Sequence, residues 1–307
     1  VPGLKDKFGV TTQTISLPIP AGARADASFE ERVRKVAIDG VTIHDVRRHG
    51  NKLRTGHLAG NRFAVVVRGV DPSRVDEVVA TFERIGREGA PNAFGSQRFG
   101  REGDNAERAR AWLRGEWSGP RDGRARRFLW SSLQSAIFND VLQRRIADGT
   151  WTTPLLGDVL QKEDSGGVFL CADVQADGAR AERGEVSPTG PMPGMKMRMP
   201  EGAPAELEAE VTARWLGDSF DFTPVRTLGD GARRAFRVLV RELRVEVEPR
   251  NEREQPASVR VYFVLPKGAY ATTVLEAAFA LEETPHAQTE PDHAADREGN
   301  DPAPEPG

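Results

Sequence analysis

One cysteine, Cys171, is the whole thiol content of this 307-residue chain, so an internal disulfide framework is excluded. It sits within "VFLCADV", an apolar strand-like run in which a small buried thiol is the ordinary reading, not a nucleophile. Long apolar runs are missing too: nothing reaches the ~18 to 20 consecutive apolar residues of a membrane-spanning helix. No basic segment followed by an apolar one opens the chain, so a signal peptide has no support. The expectation is a cytoplasmic protein with no membrane partner. The local signatures of serine hydrolases, P-loop proteins and dinucleotide-binding folds are also absent. His44, His49 and His57 fall within fourteen residues, but their spacing fits no ligand template, so no metal is expected.

What is present is positive charge in one place. The formal net charge is −3, but residues 282–307 hold eight acidic residues against Arg297 alone, which leaves residues 1–281 with about +4. Between His44 and Arg68 stand Arg47, Arg48, Lys52, Arg54, Arg62 and Arg68 against the single acid Asp45. A cluster of that density suits a phosphate backbone, and is equally compatible with a plain solvated face.

Residues 10–17 (VTTQTISL), 41–48 and 62–70 (RFAVVVRGV) have the β-branched content of strands, and residues 29–38 the spacing of a short helix. "DPSRVDEVVATFERIG" predicts an amphipathic helix capped at Asp71 or Ser73. After the Gly-rich connection "GAPNAFGSQRFGREGDN", helices are expected at about 105–113 and 124–147, the second with Phe128, Leu129, Leu133, Ile137 and Val141 on its apolar face. "GVFLCADV" reads as a short strand, and "GEVSPTGPMPGMKMRMPEG", rich in proline and glycine, as irregular chain. A helix follows at 205–216. The alternating runs "FRVLVRELRVEVE" and "ASVRVYFVLP" predict two long strands, and "YATTVLEAAFAL" a last helix.

The ending resembles the beginning, which predicts one α+β domain interrupted by an insertion. A mixed, mainly antiparallel sheet core would comprise residues 1–88 and 233–281. A helix-rich α/β insert would span residues 89–232, and residues 282–307 would form a disordered acidic tail. A cleft between host and insert would suit a large ligand.

The stretch "VPGLKDKFGVTTQTISL" holds Asp6 between Lys5 and Lys7. On the residues alone Asp6 is either a solvated turn residue or a carboxylate kept ionised by flanking cations for reaction.

Five stretches in order, "GLKDKFGVTTQ", "HGNKLRTGHLAGNRFAVVVRGV", "GAPNAFGSQRFGREGDN", "SAIFNDVLQRRIADG" and "SPTGPMPG", resemble the TruD family of tRNA pseudouridine synthases across about residues 1–281. The resemblance implies a pseudouridine-synthase core with an insert domain. It also implies conversion of uridine to pseudouridine at position 13 in the D arm of tRNA, without cofactor or metal. Asp6 matches the family's catalytic aspartate, acting as nucleophile or as base. Lys5 is then the active-site cation, with Asn61 and Phe63 of "GNRF" matching the asparagine and aromatic that hold the base. Lys7, Lys52, Arg54, Arg62, Gln97 and Arg98 become the expected RNA contacts. The alternative in another class is a non-catalytic tRNA-binding protein, such as an RNA folding chaperone. Two departures stand out. The chain starts at Val1 without the N-terminal strands that precede the lysine-aspartate motif in the family, so the expectation is a truncated chain that is poorly soluble or self-associating and nearly inactive as it stands, and monomeric and active when extended upstream. The aromatic usual at the third position of "PNAFG" is Ala93.

Overall fold

The computed structural model describes residues 9–20, 22, 28–54, 58–248 and 257–281. In chain order the elements are α1 (Phe29–Arg34), β1 (Gly60–Val70), α2 (Val75–Glu88), β2 (Ala90–Pro91), α3 (Asn105–Leu113), α4 (Gly123–Ala147), β3 (Val159–Lys162), β4 (Val168–Leu170), α5 (Val174–Glu182), β5 (Val186–Met192), α6 (Gly202–Leu216), β6 (Ala232–Ala235), β7 (Arg237–Val238), β8 (Arg241–Val247), β9 (Ala257–Pro266) and α7 (Ala271–Glu276). Helices and antiparallel strands together make the α+β class expected.

Strands β1, β9 and β8 form a three-stranded antiparallel sheet with β9 in the centre. Along β9 the residues Ala257, Val259, Val261, Phe263 and Leu265 are buried, while those between them are less so. This period of two is what a strand with one covered face requires. The cover comes from α2, through Val78, Phe82 and Ile85 at helical spacing, and from α7, through Val274 and Leu275. Burying each such side chain contributes about 1.5–3 kcal/mol. The Asp71 carboxylate accepts from the Ser73 backbone N–H at 2.9 Å and caps a 3-10 turn, Pro72–Arg74, from which α2 continues at Val75 with Arg74 rather than Asp71 or Ser73 at its N-cap. The helix stops at Gly89, whose φ of 83° suits glycine and whose added Cβ would lie 2.7 Å from the Val238 carbonyl oxygen.

A second apolar cluster is built around α4. Trp130, Leu133, Ile137, Phe138, Val141 and Leu142 are all buried there, packed with residues of α3 and α6 and with Phe236. A four-stranded sheet, ordered β4-β3-β5-β6, lies beside this helix. Arg145 of α4 donates to both carboxylate oxygens of Asp158 at 2.9 Å, with both side chains no more than 3% exposed. That pair fixes the end of α4 to the start of the sheet.

Several expectations fail. Residues 10–17 form no strand, and Val10, Ile15 and Leu17 are exposed. Residues 41–48 form none either, apart from an isolated bridge between Ile38 and Val41. β-Branched composition alone does not make a strand without a partner ladder, and among the described residues none forms a ladder with these. The helix expected at 29–38 ends at Arg34, and the last helix covers only Ala271–Glu276. "FRVLVRELRVEVE" is broken between Val238 and Arg241, because β7 pairs with β2 whereas β8 joins β9.

The largest correction concerns 184–202, where the proline-rich run contains β5, a strand paired on both sides. Pro188 has no N–H to give its opposite residue, yet accepts from the Phe236 N–H at 2.9 Å. The Phe236 carbonyl left without a ladder donor accepts instead from the Asn92 N–H at 2.7 Å. The proline thus sits where the ladder hands over to another segment, so no group is left unpaired.

Candidate functional site

Asn61 and Phe63 lie at the start of β1, opposite Leu265 and Phe263. Alternation puts both on the helix-covered face of the sheet. The Phe63 ring stacks on Phe263 with centroids 5.2 Å apart and planes at 27°, and it stays half-buried where Phe263 is fully buried. Phe63 therefore contributes to the core, and its ring is also only partly covered.

Arg62 points the other way. It makes an exposed ion pair with Glu242 at 2.8 Å, beside a depression of about 150 Å³ shared with Arg244 and Tyr262. The structure thus brings Asn61 and Phe63 to one face and separates Arg62 from them. Lys52 and Arg54 are exposed in the coil before β1. The intervening Leu53 N–H donates to the Ser16 hydroxyl at 3.1 Å, tying this basic segment to the stretch that follows Asp6 in the chain. Lys5, Asp6 and Lys7 themselves lie outside the described residues, as does His57. Among the described residues no three His, Cys, Asp or Glu side chains stand together as a metal site would need.

The segment 90–99 meets the same end of the sheet. Gly60 of β1 pairs with Pro266, and two residues beyond, the Gly268 carbonyl accepts from Arg234 at 3.1 Å. The same guanidinium donates to the Asn92 backbone and side-chain oxygens at 3.0 and 2.5 Å and lies 4.0 Å from the centre of the Phe94 ring. Tyr270, next after the turn, has its ring 6.3 Å from that of Phe94. Asn139 of α4 accepts from the Phe94 N–H and donates to its carbonyl, at 2.9 and 3.0 Å. "PNAFG" is thus a seam whose polar groups are paired on both sides. Ala93, small at its third position, packs against the α4 cluster.

Burial lowers the Arg234 pKa to about 10, which still leaves it charged at neutral pH. A cation held there needs its acceptors and ring, since water is largely excluded. Gln97 is exposed in the short 3-10 turn Ser96–Phe99. Arg98 is half-buried, donates to the Ser135 hydroxyl at 3.2 Å, and lies 5.6 Å from the Phe94 ring centre and 5.9 Å from that of Phe128. Sequence reasoning missed Arg234 and Tyr270, because neither lies in a stretch with a pattern that marks contacts across the fold. Phe128 was expected on the apolar face of its helix and is instead 42% exposed.

The sequence profile of the tRNA pseudouridine synthase D (TruD) family matches residues 1–119 and 122–277. The chain belongs to the TruD family. It is 42% identical over 278 residues to a tRNA pseudouridine synthase D of Anaeromyxobacter sp. (strain Fw109-5), covering 89% of this chain and 74% of the relative. With a Thermus thermophilus protein of the same name the identity is 37% over 292 residues, 95% of this chain and 76% of that one. A crystal structure of a Methanosarcina mazei protein named for the same family shares the fold with a TM-score of 0.64 at 21% identity, over 81% of this chain and 75% of the other. This TruD-family fold carries the sheet, the seam and the helical layer described above.

Proposed function

We propose that this chain converts uridine to pseudouridine in tRNA. The observation that carries the proposal is the match to the TruD family along nearly all of the chain, with relatives at 32–42% identity named tRNA pseudouridine synthase D. The reaction balances within one nucleotide. The N1–C1′ bond breaks, the uracil turns, a C5–C1′ bond forms, and the C5 proton is released as N1 gains one.

Asp6 is assigned the central role, its carboxylate acting on the ribose as nucleophile or base, with Lys5 as its neighbouring cation. Asn61 and Phe63 would hold the extruded base by hydrogen bonding and stacking. Their shared face at the start of β1 supports that pairing. Lys7, Lys52 and Arg54 would meet the phosphates. Arg62, engaged with Glu242, would do so only by exchanging one anion for another. The finer assignments are position 13 of the D arm as target, a monomeric cytoplasmic enzyme, no cofactor, and a division into host (1–88, 233–281) and insert (89–232). The separate apolar clusters support a division of this kind, though at its borders Ala90 packs with the sheet cluster and Phe236 with the helical one.

The test is release of tritium from tRNA transcripts labelled at uridine C5. The expected result is release by the parent chain and a loss of at least a thousandfold in Asp6→Asn, with tRNA binding kept. An Asp6→Asn variant as fast as the parent would remove Asp6 from the chemistry. A parent chain that binds tRNA but releases no tritium would favour the non-catalytic alternative.

A further inference from the structure

Helix α4 hides its apolar residues almost completely, with Leu129, Trp130, Leu133, Ile137 and Phe138 all at most 4% exposed. Phe128, one residue before that run, is 42% exposed. On the helix surface Arg124 stands four residues before Phe128 and three before Arg127, so it lies beside both; Arg124 and Arg127 are exposed, and among the described residues no ion pair engages either. Against the ring stands the Arg98 guanidinium at 5.9 Å, anchored from behind by Ser135. Gln97 is exposed beside it in sequence. Asp122, the nearest acid along the helix, is occupied in capping the Ala125 N–H at 2.8 Å.

We propose that Arg98, Arg124, Arg127 and Phe128, with Gln97 at the edge, form a contact surface for the RNA substrate on the helical layer. The cations would take the phosphodiester backbone, and the Phe128 ring would stack on one unpaired base. A protein partner would have to cover three guanidinium groups with carboxylates, whereas an RNA strand supplies anions and flat apolar faces together. Position supports the same occupant. The Phe94 ring lies close to Arg98, Arg234 and Tyr270, and Arg234 reaches the Gly268 carbonyl, two residues beyond the Pro266 that pairs with Gly60 of β1, so a chain of contacts links this surface to the end of the sheet where β1 begins. The proposal rests on the tRNA reading and adds where on the helical layer the RNA lies.

The experiment measures binding of an unmodified tRNA transcript across a salt series for the parent, Phe128→Ala, Phe128→Tyr and the double variant Arg124→Gln/Arg127→Gln. Phe128→Ala is expected to bind roughly tenfold more weakly with an unchanged salt slope, and Phe128→Tyr to restore binding. The double variant should reduce the slope of log affinity against log salt by about 1.5. Variants that bind like the parent with the same slope would overturn the surface, as would a change of oligomeric state in Phe128→Ala with tRNA affinity intact. A parent that binds tRNA through this surface yet releases no tritium would leave the surface standing and remove the isomerase reading.

Discussion

The Arg234 guanidinium lies over the Phe94 ring while bonding both to Asn92 beneath it and to the Gly268 carbonyl across the seam. A single side chain therefore joins the segment 90–99 to the turn between β9 and α7. Three carbonyl-type acceptors depend on it; the two Asn92 oxygens are part-buried and would be left wanting a donor, whereas the exposed Gly268 carbonyl can turn to water.

Replacing Arg234 by Ala is expected to lower the unfolding free energy by about 2 kcal/mol in urea titration. It should also speed amide exchange in residues 267–273. Arg234→Lys should recover less than half of the loss, since an ammonium cannot lie flat on the ring and reach all three oxygens. Exchange in 267–273 that stays at the parent rate would show that the turn is held by something else.

The buried pair Arg145–Asp158 makes a larger prediction. Asp158 also accepts from the Leu155 N–H at 2.7 Å, and Arg145 donates to the Thr150 and Thr153 carbonyls. Asp158→Asn keeps the shape but leaves a buried cation unpaired, so a loss of roughly 3–5 kcal/mol is expected. Replacing both partners together, as Arg145→Met/Asp158→Leu, should cost less than the single change. A double variant less stable than Asp158→Asn would mean that the pair's hydrogen bonds to the loop matter more than its charge.

Gly190 belongs to "SPTGPMPG", a stretch whose composition reads as irregular chain. In β5 its Cα lies under two rings: an added Cβ would come 2.5 Å from Phe236 and 2.9 Å from Phe138, which themselves pack at 5.8 Å. Gly190→Ala should therefore destabilise by about 1–3 kcal/mol through overpacking. Enlarging the space with Phe236→Leu in the same chain should return part of that loss. No return would place the strain in the β5 backbone.

These cases show where the sequence was readable. Helices α2, α3 and α4 and strands β1 and β9 carry their own periodicity, and their predicted spans match the observed ones closely. β5 was hidden because its prolines argue against a strand, and only the Asn92 N–H, distant in sequence, makes the proline at 188 tolerable. Asn61 and Phe63 were marked together by the family resemblance, and the observed register of β1 puts them on one face, but the ion pair that occupies Arg62 depends on Glu242 from another strand. Arg234 was invisible for the same reason: its meaning lies in contacts some 140 residues away in the chain.

Burial, followed by the nearby acids beginning with Asp177, raises the Cys171 thiol to about 11 from an ordinary 9.0. At pH 8 the thiolate is then about a hundredfold scarcer than for a free cysteine. Iodoacetamide should leave the native chain unlabelled at pH 8 and react readily once the chain is unfolded in about 8 M urea. The sign of the linkage follows. Between about pH 9 and pH 11 the unfolded thiol gives up its proton while the native one keeps it, so this group's contribution to stability declines as pH rises through that window. Fast labelling of native protein would show that the segment carrying Cys171, directly after β4, opens locally.

Phe63 separates a structural role from a functional one. Its ring covers Phe263 from one side, so Phe63→Leu keeps an apolar contact and should cost about 1 kcal/mol or slightly more. Leucine offers no flat surface on which a uracil can stack. In the proposed reaction the same substitution should lower the turnover number at saturating tRNA by at least tenfold, whereas Phe63→Tyr should keep most of it. Affinity for tRNA should change little in either variant, because most of the binding free energy comes from phosphate contacts elsewhere. If Phe63→Leu loses stability and keeps full turnover, the ring serves only the core of the sheet, and the base must be held by another aromatic.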